Sequence, residues 1–524
     1  MPRVLIADEL SAAAVDIFHR RGVDVDVRIG LDATALCHVI GQYHGLAVRS
    51  ATKANRDVIA AAHRLRVIGR AGIGVDNIDI PAATARGIVV MNTPFGNSIT
   101  TAEHAIALLF AAARQIGDAN LSTQGGLWEK ERFLGTELHG KTLGIIGCGN
   151  IGTLVAERAL GLKMKVVAFD PFLSPDRAVA LGVEKVELSE LLERADAITL
   201  HTPLTDRTRN ILSAEALART RRGVIIVNAA RGGLVDENAL RAALESGHVA
   251  GAGFDVFTTE PARANVLFGA RNFVATPHLG ASTVEAQEKV ALQVAEQMSD
   301  FLLHGVVTNA LNMPSITPEE APRLAPFVAL GEQLGTFVGQ LAKEGPEAIE
   351  IEFEGEVAGL DTRPITAAAL AGLMRPLIPE VNHVSAPAVL KEKGTSLSES
   401  KRDTASAYGS LIRIGVRTHG QWTRIAGAVL GGAARIVEVE GMALEAAFFP
   451  VMVYVNNSDA PGFIGTLGGI LGEAQINIAS FHLGRRGPGL DAIAIIGVDQ
   501  VVPEPVQERL RRLPLVREVR VLQF

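Results

Sequence analysis

The sequence predicts an α/β protein in which parallel β-sheets come first and two smaller α+β regions follow. Three observations support this fold class. Short apolar runs alternate with helical patterns over residues 4–304, and this alternation is typical of parallel sheets with helices on both faces. Four prolines within residues 314–326 indicate a linker. Residues 448–524 follow the order βαββαβ, which is the ferredoxin-like arrangement.

Two series of strands are expected in the parallel part. The first series consists of apolar runs at residues 4–7, 23–27, 46–48, 65–68 and 88–91. The second begins at Thr142 and has strand candidates at residues 143–146, 165–168, 197–200, 223–228, 250–256 and 272–275. Six strands with helices between them is the number found in a full dinucleotide-binding sheet of the Rossmann type. A long helix is expected over residues 283–304.

The two later regions mix strands and helices. The third region extends from the linker to about Gly441, with an alternating strand at residues 348–353 and an Ala-rich helix at residues 365–373. The last region begins with a strand at residues 449–455 and a turn at residues 456–462. The elements expected after this turn are a helix at 463–473, strands at 476–483 and 492–498, a helix at 503–512 and a strand at 516–522.

Composition excludes several classes of protein. The chain has 524 residues, enough for about three to four domains. Its formal net charge is −7, which argues against nucleic-acid binding because that normally needs a basic face. The apolar stretch 105–113 is far shorter than the ~20 residues of a membrane span. The charged start of the chain argues against a secretory signal. Two cysteines indicate no disulfide framework and favour a cytoplasmic protein.

A glycine-rich turn predicts a nucleotide site. The segment LGIIGCGNIG combines an apolar strand, the pattern GxGxxG and a helix expected over residues 153–160. Gly147 permits the tight turn, Gly149 lets the backbone approach a pyrophosphate, and Gly152 lets the helix pack closely on the strand. The amides at the helix start can bind phosphate. A glycine turn with only a structural use is the alternative.

An acidic residue follows at the spacing expected for ribose recognition. Asp170 ends the strand candidate VVAFD, eighteen residues after Gly152. A carboxylate there can accept hydrogen bonds from the ribose hydroxyls and repels a 2′-phosphate, so NAD is favoured over NADP. The alternative is a solvated turn aspartate before Pro171.

Three ionisable residues follow three successive strand candidates, and they predict the oxidation of a small 2-hydroxy acid. Arg231 ends VIIVNAAR, Glu260 follows GAGFDVFTTE, and His278 follows NFVATPH. Ligands of a doubly wound sheet bind beyond the carboxyl ends of its strands, so these residues can meet. His278 can take the hydroxyl proton, and Glu260 can stabilise the charged imidazole. Arg231 can bind a carboxylate through two parallel hydrogen bonds. Each residue alone also fits an ordinary loop or turn, so the prediction depends on their joint placement.

Beyond these single residues, longer stretches of the sequence resemble the D-2-hydroxyacid dehydrogenase family. The matching stretches are GRAGIGVDNID (69–79), NTPFGNSITTAEHAIAL (92–108), GTELHGKTLGIIGCGNIG (135–152), NAARGGLVDE (228–237) and TPHLGAST (276–283). The resemblance is closest to the long-form members, which oxidise D-3-phosphoglycerate as the first step of L-serine biosynthesis. It implies NAD as cofactor, no metal, and a homo-oligomer, either a dimer or a tetramer.

The resemblance also implies roles for single residues. The catalytic residues are Arg231, Glu260 and His278. The cofactor-binding residues are Gly147, Gly149, Asn150, Ile151, Gly152, Asp170, Thr202, Ala230 and Asp255. The substrate-binding residues are Arg49, Arg70 and Asn97, with Lys130 and Arg132 as cations supplied to the partner subunit. A flavodoxin-like substrate domain is expected in two pieces, 1–96 and 281–312, around an NAD-binding domain at 97–280.

The remaining regions resemble the accessory domains of the long form. Residues 317–447 resemble its α+β intervening domain, and residues 448–524 resemble an ACT domain, a fold that often binds amino acids. L-Serine is the expected effector, with Asn456, Asp459 and Asn477 as its regulatory residues and the amides at the following helix start as carboxylate ligands. The alternative for this segment is a solvated β-turn with a helix cap.

Two other functions remain open. Another D-2-hydroxyacid dehydrogenase, for glyoxylate, hydroxypyruvate or D-lactate, would share the same catalytic residues. Arg49, Arg70 and the ACT-like region favour the phosphorylated substrate over these. A non-catalytic NAD sensor or corepressor could share the fold, but intact Arg231, Glu260 and His278 argue against it.

Overall fold

The computed structural model describes residues 1–94, 96–316, 320–342, 345–404 and 407–524. Within these residues the backbone forms four β-sheets. The first two are fully parallel, the third is mixed and the fourth is antiparallel. The predicted α/β fold class is thereby confirmed. The predicted start of the third region, at residues 317–319, lies outside the described residues.

The first sheet has five parallel strands in the order β2-β1-β3-β4-β5. Its strands are β1 Arg3–Ile6, β2 Asp24–Val27, β3 Gly45–Val48, β4 Val67–Arg70 and β5 Val89–Asn92. The helices between them are α1 Ala12–Arg20, α2 Ala33–Ile40, α3 Arg56–Ala61 and α4 Ile80–Ala85. This strand order is the flavodoxin-like one. It places the carboxyl ends of β3 and β4 side by side.

The second sheet has seven parallel strands in the order β12-β11-β10-β9-β6-β7-β8. Two helices precede it, α5 Ser98–Ala113 and α6 Ile116–Gln124. Its strands are β6 Thr142–Ile146, β7 Lys165–Phe169, β8 Glu184–Lys185, β9 Ala197–Leu200, β10 Val224–Asn228, β11 Val249–Phe254 and β12 Phe273–Ala275. The helices between strands are α7 Asn150–Gly161, α8 Pro175–Leu181, α9 Leu188–Arg194, α10 Ala214–Arg219 and α11 Glu237–Glu245. The sequence predicted six strands because β8 has only two residues, both charged and exposed.

A long helix returns the chain from the second sheet to the first. This helix, α12, spans Val284–His304, close to the predicted 283–304. Its apolar face, including Val290, Val294 and Met298, is buried in one core with Val4 and Met91 of the first sheet. The first sheet therefore depends on a helix that follows it in the chain only after the whole second sheet.

The third sheet has six strands in the order β14-β13-β15-β16-β17-β18. The elements of this region are α13 Ala321–Leu341, β13 Ala348–Gly355, α14 Arg363–Met374, α15 Ala386–Glu392, β14 Ser396–Arg402, β15 Ser410–Thr418, β16 Gln421–Leu430, β17 Ala433–Val439 and β18 Met442–Ala447. Helices α13 and α14 pack on one face of the sheet in a shared core with β13 and β15.

The prediction of a linker at residues 314–326 is wrong for residues 321–326, which are helical. Helix α13 begins at Ala321 and includes both Pro322 and Pro326. Pro322 lies in the first turn, where its missing N–H would have no partner in the helix. Packing compensates for Pro326: an added Cβ on Gly335 would lie 2.0 Å from the Ala369 carbonyl oxygen, so α13 approaches the α14 backbone very closely. Tertiary packing here outweighs a helix-breaking residue.

The fourth sheet confirms the predicted βαββαβ arrangement. Its elements are β19 Val451–Ser458, α16 Phe463–Glu473, β20 Ile478–Arg485, β21 Asp491–Val498, α17 Glu504–Arg511 and β22 Val516–Gln523, with strand order β20-β21-β19-β22. Val453 and Val455 belong to the core beneath α16 and α17. Met452 and Tyr454, on the opposite face, are buried against Phe337 of α13. The third and fourth sheets therefore share a hydrophobic core.

Two classes of feature are not found in the described part of the chain. No helix there combines the length and apolar character that crossing a membrane requires. The same residues contain no group of three or more His, Cys, Asp or Glu side chains placed to hold a metal ion.

Candidate active site

A cavity of about 900 Å³ lies between the first and second sheets. Both sheets direct the carboxyl ends of their strands to it, as expected for parallel sheets with a ligand site. Residues on its wall from the first region include Arg49 and Arg70, and those from the second include Arg231, Glu260 and His278. The three predicted catalytic residues, far apart in the sequence, thus lie in one cavity.

The histidine and the glutamate form a hydrogen-bonded pair. The Nδ1 atom of His278 lies 2.7 Å from Oε2 of Glu260, and Oε1 of Glu260 accepts the amide of Phe257. Burial raises the pKa of Glu260, but the hydrogen bonds from His278 and Phe257 outweigh burial and hold it below its usual range. The carboxylate therefore remains charged at neutral pH. Because Nδ1 is occupied, Nε2 is the ring nitrogen available to a substrate hydroxyl.

Asp255 organises the backbone that carries His278. His278 has φ of 57°, a left-handed conformation that is strained for a residue with a Cβ. Its amide donates to the Asp255 carbonyl at 2.9 Å. The buried Asp255 carboxylate accepts the amides of Leu279 and Gly280, at 2.7 and 2.8 Å. In this structure Asp255, predicted as a cofactor residue, thus contributes to the position of His278.

Sequence reasoning missed His104, which completes the Asp255 network. Its Nε2 lies 3.0 Å from the Thr276 hydroxyl and 3.2 Å from the Asp255 carboxylate. Burial raises the pKa of Asp255, and hydrogen bonds from His104, Thr276 and Leu279 lower it below the usual value. The only sequence signal for His104 was its place in the helical stretch TAEHAIAL, where it could equally have been an ordinary half-buried residue.

Arg231 is held from two sides. Its Nε donates to Oδ2 of Asp76 at 3.0 Å, and its Nη1 donates to the carbonyl oxygen of Ala230 at 2.6 Å. Asp76, which also lines the cavity, was not singled out from the sequence. It comes from the loop after β4, so this ion pair crosses from the first region to the second.

Two more arginines make the cavity positive. Arg70 ends β4, and its buried Nε has no hydrogen-bond partner among the described residues. Burial and, to a smaller extent, the nearby charge of Arg231 lower the pKa of Arg70 to about 10, so Arg70 stays charged at neutral pH. Arg49 follows β3, where the buried Asp8 carboxylate accepts its amide at 2.6 Å and Asn77 donates to its carbonyl at 2.7 Å.

Asn97 precedes α5 at the edge of the same cavity. Its side chain is buried, makes no cap hydrogen bond and leaves Oδ1 without a partner among the described residues. An unsatisfied buried polar atom is costly. Asn97 is therefore suited to a polar ligand in the cavity.

The glycine turn has the shape of a pyrophosphate site. Gly147 has a φ of 94°, a conformation that is unfavourable for residues with a Cβ. An added Cβ would also lie 2.9 Å from the amide nitrogen of Thr202. A Cβ on Gly152 would lie 2.1 Å from the Gly147 carbonyl oxygen, whereas one on Gly149 would meet open space. Helix α7 begins at Asn150, three residues before the predicted start. Its first amides therefore face the turn, and the turn fits a dinucleotide phosphate.

Among the other predicted cofactor residues, Asp170 contacts this turn directly. Asp170 follows β7, and its carboxylate accepts the amides of Cys148 and Phe172, both at 2.8 Å. Ile151 lies on the cavity wall, linking the turn to the catalytic residues. Ala230 accepts the Arg231 hydrogen bond described above.

The predicted partner-facing cations lie outside the cavity. Lys130 and Arg132 are on a short 3₁₀ helix, Lys130–Phe133, and neither lines the cavity of its own chain. Arg132 forms an ion pair with Glu129 at 2.8 Å.

The regulatory prediction needs one correction. Asn456 is not in a turn: β19 continues to Ser458, and Asn456 pairs with Ile493 and Glu518 on the adjacent strands. Because side chains alternate along a strand, Asn456 shares the face of Tyr454, away from α16. The residue on the α16 face is Asn457, which is 1% exposed; among the described residues neither its Oδ1 nor that of Asn456 has a hydrogen-bond partner.

The other two predicted regulatory residues already have polar partners. Asp459 pairs with Arg485 at 3.1 Å, and Asn477 donates to Asp499 at 2.6 Å. Asp459 lies in the turn before α16, and Asn477 directly precedes β20. The structure does not bring these two side chains into direct contact.

Family models cover most of the chain. Residues 106–280 match the D-isomer specific 2-hydroxyacid dehydrogenase NAD binding domain. Residues 323–440 match the D-3-phosphoglycerate dehydrogenase intervening domain, and residues 451–515 match the ACT domain. These matches cover the glycine turn, Arg231, Glu260 and His278.

Full-length relatives and solved structures agree with these models. The D-3-phosphoglycerate dehydrogenase of Bacillus subtilis is 40% identical, covering all of both chains. The enzyme of that name from Methanocaldococcus jannaschii is 41% identical, again over both whole chains. A glyoxylate reductase structure from Paecilomyes thermophila is 31% identical with a TM-score of 0.55, covering 59% of this chain and 98% of its own. Because relatives of this identity match over the whole chain, the chain belongs to the D-3-phosphoglycerate dehydrogenases, a branch of the NAD-dependent D-2-hydroxyacid dehydrogenases.

Proposed function

We propose that this protein oxidises D-3-phosphoglycerate to 3-phosphohydroxypyruvate with NAD, the first step of L-serine biosynthesis. The observation that carries this proposal is the single cavity containing the His278–Glu260 pair together with three arginines, Arg49, Arg70 and Arg231. The substrate carries a carboxylate, a phosphate and an oxidisable hydroxyl. The cavity offers cations for the carboxylate and the phosphate, and a base for the hydroxyl.

The residues divide the reaction between them. Arg231 binds the carboxylate and thereby places the hydroxyl carbon near the nicotinamide site. His278 Nε2 takes the hydroxyl proton as the carbonyl forms, and Glu260 stabilises the resulting imidazolium through Nδ1. Bound NAD, held by the glycine turn and Asp170, would supply the acceptor for the hydride of the same carbon. In the reverse direction His278 returns the proton.

The catalytic assignment is tested by His278→Ala. Turnover should fall by roughly 10²–10⁴, the usual contribution of a general acid–base group. The affinity for NAD, measured by calorimetry, should remain near that of the wild type because the glycine turn and Asp170 are untouched. A variant that kept more than about a third of wild-type turnover would refute the role of His278.

Substrate choice is tested by comparing 3-phosphoglycerate with D-glycerate in NAD reduction assays. Arg49 and Arg70 favour the phosphorylated acid because each charge-assisted contact contributes about 1.5–3 kcal/mol. Arg49→Ala and Arg70→Ala should therefore each lower kcat/KM about tenfold to a hundredfold. Equal wild-type activity on both substrates would contradict the phosphate site. Higher activity on glyoxylate, hydroxypyruvate or D-lactate would favour the alternative dehydrogenase functions.

We also propose a cytoplasmic homo-oligomer. Large apolar side chains are exposed just after α5, with Leu121, Trp128 and Leu134 at 72%, 88% and 87% exposure. Such a patch suits a contact with a second copy, and Lys130 and Arg132 lie within the same segment. The two unpaired cysteines fit a reducing compartment. Sedimentation of the wild type and of Trp128→Ser would test the patch, since the assembly should dissociate in the variant.

L-Serine is the proposed effector, binding at the turn before α16. Asp459 is suited to the amino group, and the first amides of α16 to the carboxylate. Asn457 replaces Asn456 as the strand residue of this site, because it shares the α16 face of β19 with Val453 and Val455. Asn477 completes the site from a neighbouring ACT domain.

Two adjacent asparagines provide a matched test of this effector site. Asn457→Ala should abolish serine inhibition, whereas Asn456→Ala, on the opposite face of the same strand, should preserve it. Inhibition requires a coupling free energy of about 1–3 kcal/mol between the sites. No binding at millimolar serine by calorimetry, or equal sensitivity of the two variants, would contradict the proposal.

A further inference from the structure

Besides Asp255 and Glu260, a third acidic side chain, Asp76, lines the cavity, and it lies beside the arginines. Asp76 lines the same wall as Arg49, Arg70 and Arg231. A carboxylate in this position would repel a negatively charged substrate unless it served another purpose. Its contact with Nε of Arg231, at 3.0 Å, indicates that purpose.

The Asp76–Arg231 pair is poorly suited to stabilising the fold. The Asp76 side chain is 74% exposed, and ion pairs so accessible to water contribute little to folding. The two residues also lie in different regions, one after β4 and the other after β10. A contact of this kind can act on the geometry of the site.

The hydrogen bonds of Arg231 determine which edge of its guanidinium remains available. Asp76 occupies Nε, and the Ala230 carbonyl occupies one hydrogen of Nη1. Within the described residues Nη2 makes no hydrogen bond. A guanidinium can bind a carboxylate through Nε and Nη2 or through Nη1 and Nη2. Because Nε is occupied, the end formed by Nη1 and Nη2 is the one open to the substrate.

Asp76 also reduces the repulsion between two arginines. Burial lowers the pKa of Arg70, the charge of Arg231 lowers it further, and the charge of Asp76 raises it. The Asp76 carboxylate therefore helps two guanidinium groups to remain close together before the substrate arrives.

We infer that Asp76 is a positioning residue, which fixes Arg231 so that the substrate carboxylate binds end-on through Nη1 and Nη2. This inference rests on the proposed function, since it assigns Arg231 to the carboxylate. It adds a residue that does not itself bind the substrate and that acts through Arg231.

The first test compares Asp76→Ala with Asp76→Asn. Asp76→Ala should raise the KM for 3-phosphoglycerate about tenfold, because a misplaced binding group loses its alignment with the substrate. The kcat should change less than about threefold, and the Kd for NAD should not change. Asp76→Asn retains an oxygen that can accept from Nε, so it should recover most of the loss. A fall in KM in Asp76→Ala would show that Asp76 only repels the substrate and would overturn the inference.

A double-mutant cycle with Arg231→Lys shows whether Asp76 acts through Arg231. Calorimetry of 3-phosphoglycerate binding to the enzyme–NADH complex provides the readout, because it requires no turnover. In the Arg231→Lys background, Asp76→Ala should change the Kd by less than about twofold, since the group it positions is gone. An equal effect in both backgrounds would overturn the inference.

Asp79 provides a matched control three residues away. Its carboxylate caps α4 by accepting the Ala82 amide at 2.9 Å. Asp79→Ala should lower the Tm and leave the KM unchanged. Asp76→Ala should raise the KM and leave the Tm unchanged. If Asp76→Ala lowers the Tm and leaves the KM unchanged, Asp76 is structural and the inference fails. If the wild type itself does not oxidise 3-phosphoglycerate, the proposed function fails instead.

Discussion

Replacing Glu260 by glutamine isolates the charge that supports the catalytic histidine. Glutamine has nearly the same shape, and its amide oxygen can still accept from Nδ1 of His278, which lies 2.7 Å from the carboxylate. The ring therefore keeps its orientation and loses its counter-charge. A hydrogen bond to a charged group contributes about 1.5–3 kcal/mol. Because this contact strengthens as the imidazolium forms, kcat should fall by about 10- to 100-fold.

Steady-state kinetics across a range of pH provide the assay. Because hydrogen bonds hold the pKa of Glu260 below its usual range, the carboxylate is charged at every pH above that range, and the loss of kcat should be present throughout it. Glu237→Gln is the matched control, since Glu237 accepts from Thr258 in the same loop, at 2.9 Å, and does not touch His278. That variant should keep kcat within about twofold. If Glu260→Gln retained more than about half of wild-type kcat, the charge-stabilisation argument would be refuted.

Two further predictions concern cofactor choice and acid stability. Asp170→Ala should weaken NAD binding and narrow the preference for NAD over NADP, measured as the ratio of kcat/KM values; equal use of both cofactors by the wild type would contradict the argument. Glu332 accepts hydrogen bonds from His383 and Arg375, and the His383 bond, with a smaller contribution from Arg375, lowers its pKa to about 2 despite burial. Its stabilising effect is therefore complete above the ordinary glutamate pKa and is lost as the pH falls towards 2. Glu332→Gln should lower the free energy of unfolding by about 1–2 kcal/mol at pH 7, allowing for partial exposure, and leave it unchanged near pH 2. Urea unfolding at both pH values measures this difference, and equal effects at both would refute the linkage.

Local pattern was sufficient for most elements of the fold. The strands β6, β9 and β10 are continuous apolar runs because both faces of a parallel sheet are covered by helices. Such runs can be recognised without a structure. The two-residue strand β8 has no such pattern, and helix α13 contradicts its own local signal at Pro326. Both were missed because pairing and packing, which involve distant residues, decide them.

The residues of the candidate site also fall into two groups, those that the sequence predicted and those that only the structure revealed. Arg231, Glu260 and His278 were predicted because each follows a strand and ligands bind beyond the carboxyl ends of parallel strands. The chemistry of each residue type can be read directly from the sequence. Asp76 was not singled out, since it is 155 residues from the arginine it contacts. An aspartate in a loop has many ordinary uses, and nothing in its neighbours indicates its partner.

Strand register had a similar consequence in the last domain. The turn before α16 was expected to begin at Asn456, but β19 continues to Ser458, so the first three residues of the expected turn belong to the strand. Successive side chains of a strand face opposite sides. An error in the predicted end of β19 therefore led to the choice of Asn456, whereas Asn457 is the residue on the α16 face. Only the pairing with β21 and β22 decides which asparagine faces α16.

The sequence by itself determined the order of the sheets, the nucleotide turn and the residue types of the chemistry. Each of these depends on short-range rules of periodicity, backbone geometry and side-chain ionisation. The tertiary structure alone decided which groups share the cavity, which edge of Arg231 is open and how Asp255 holds the strained His278 backbone. These properties arise from contacts between residues that are far apart in the chain, and their geometry is set by the packing of one sheet region against another.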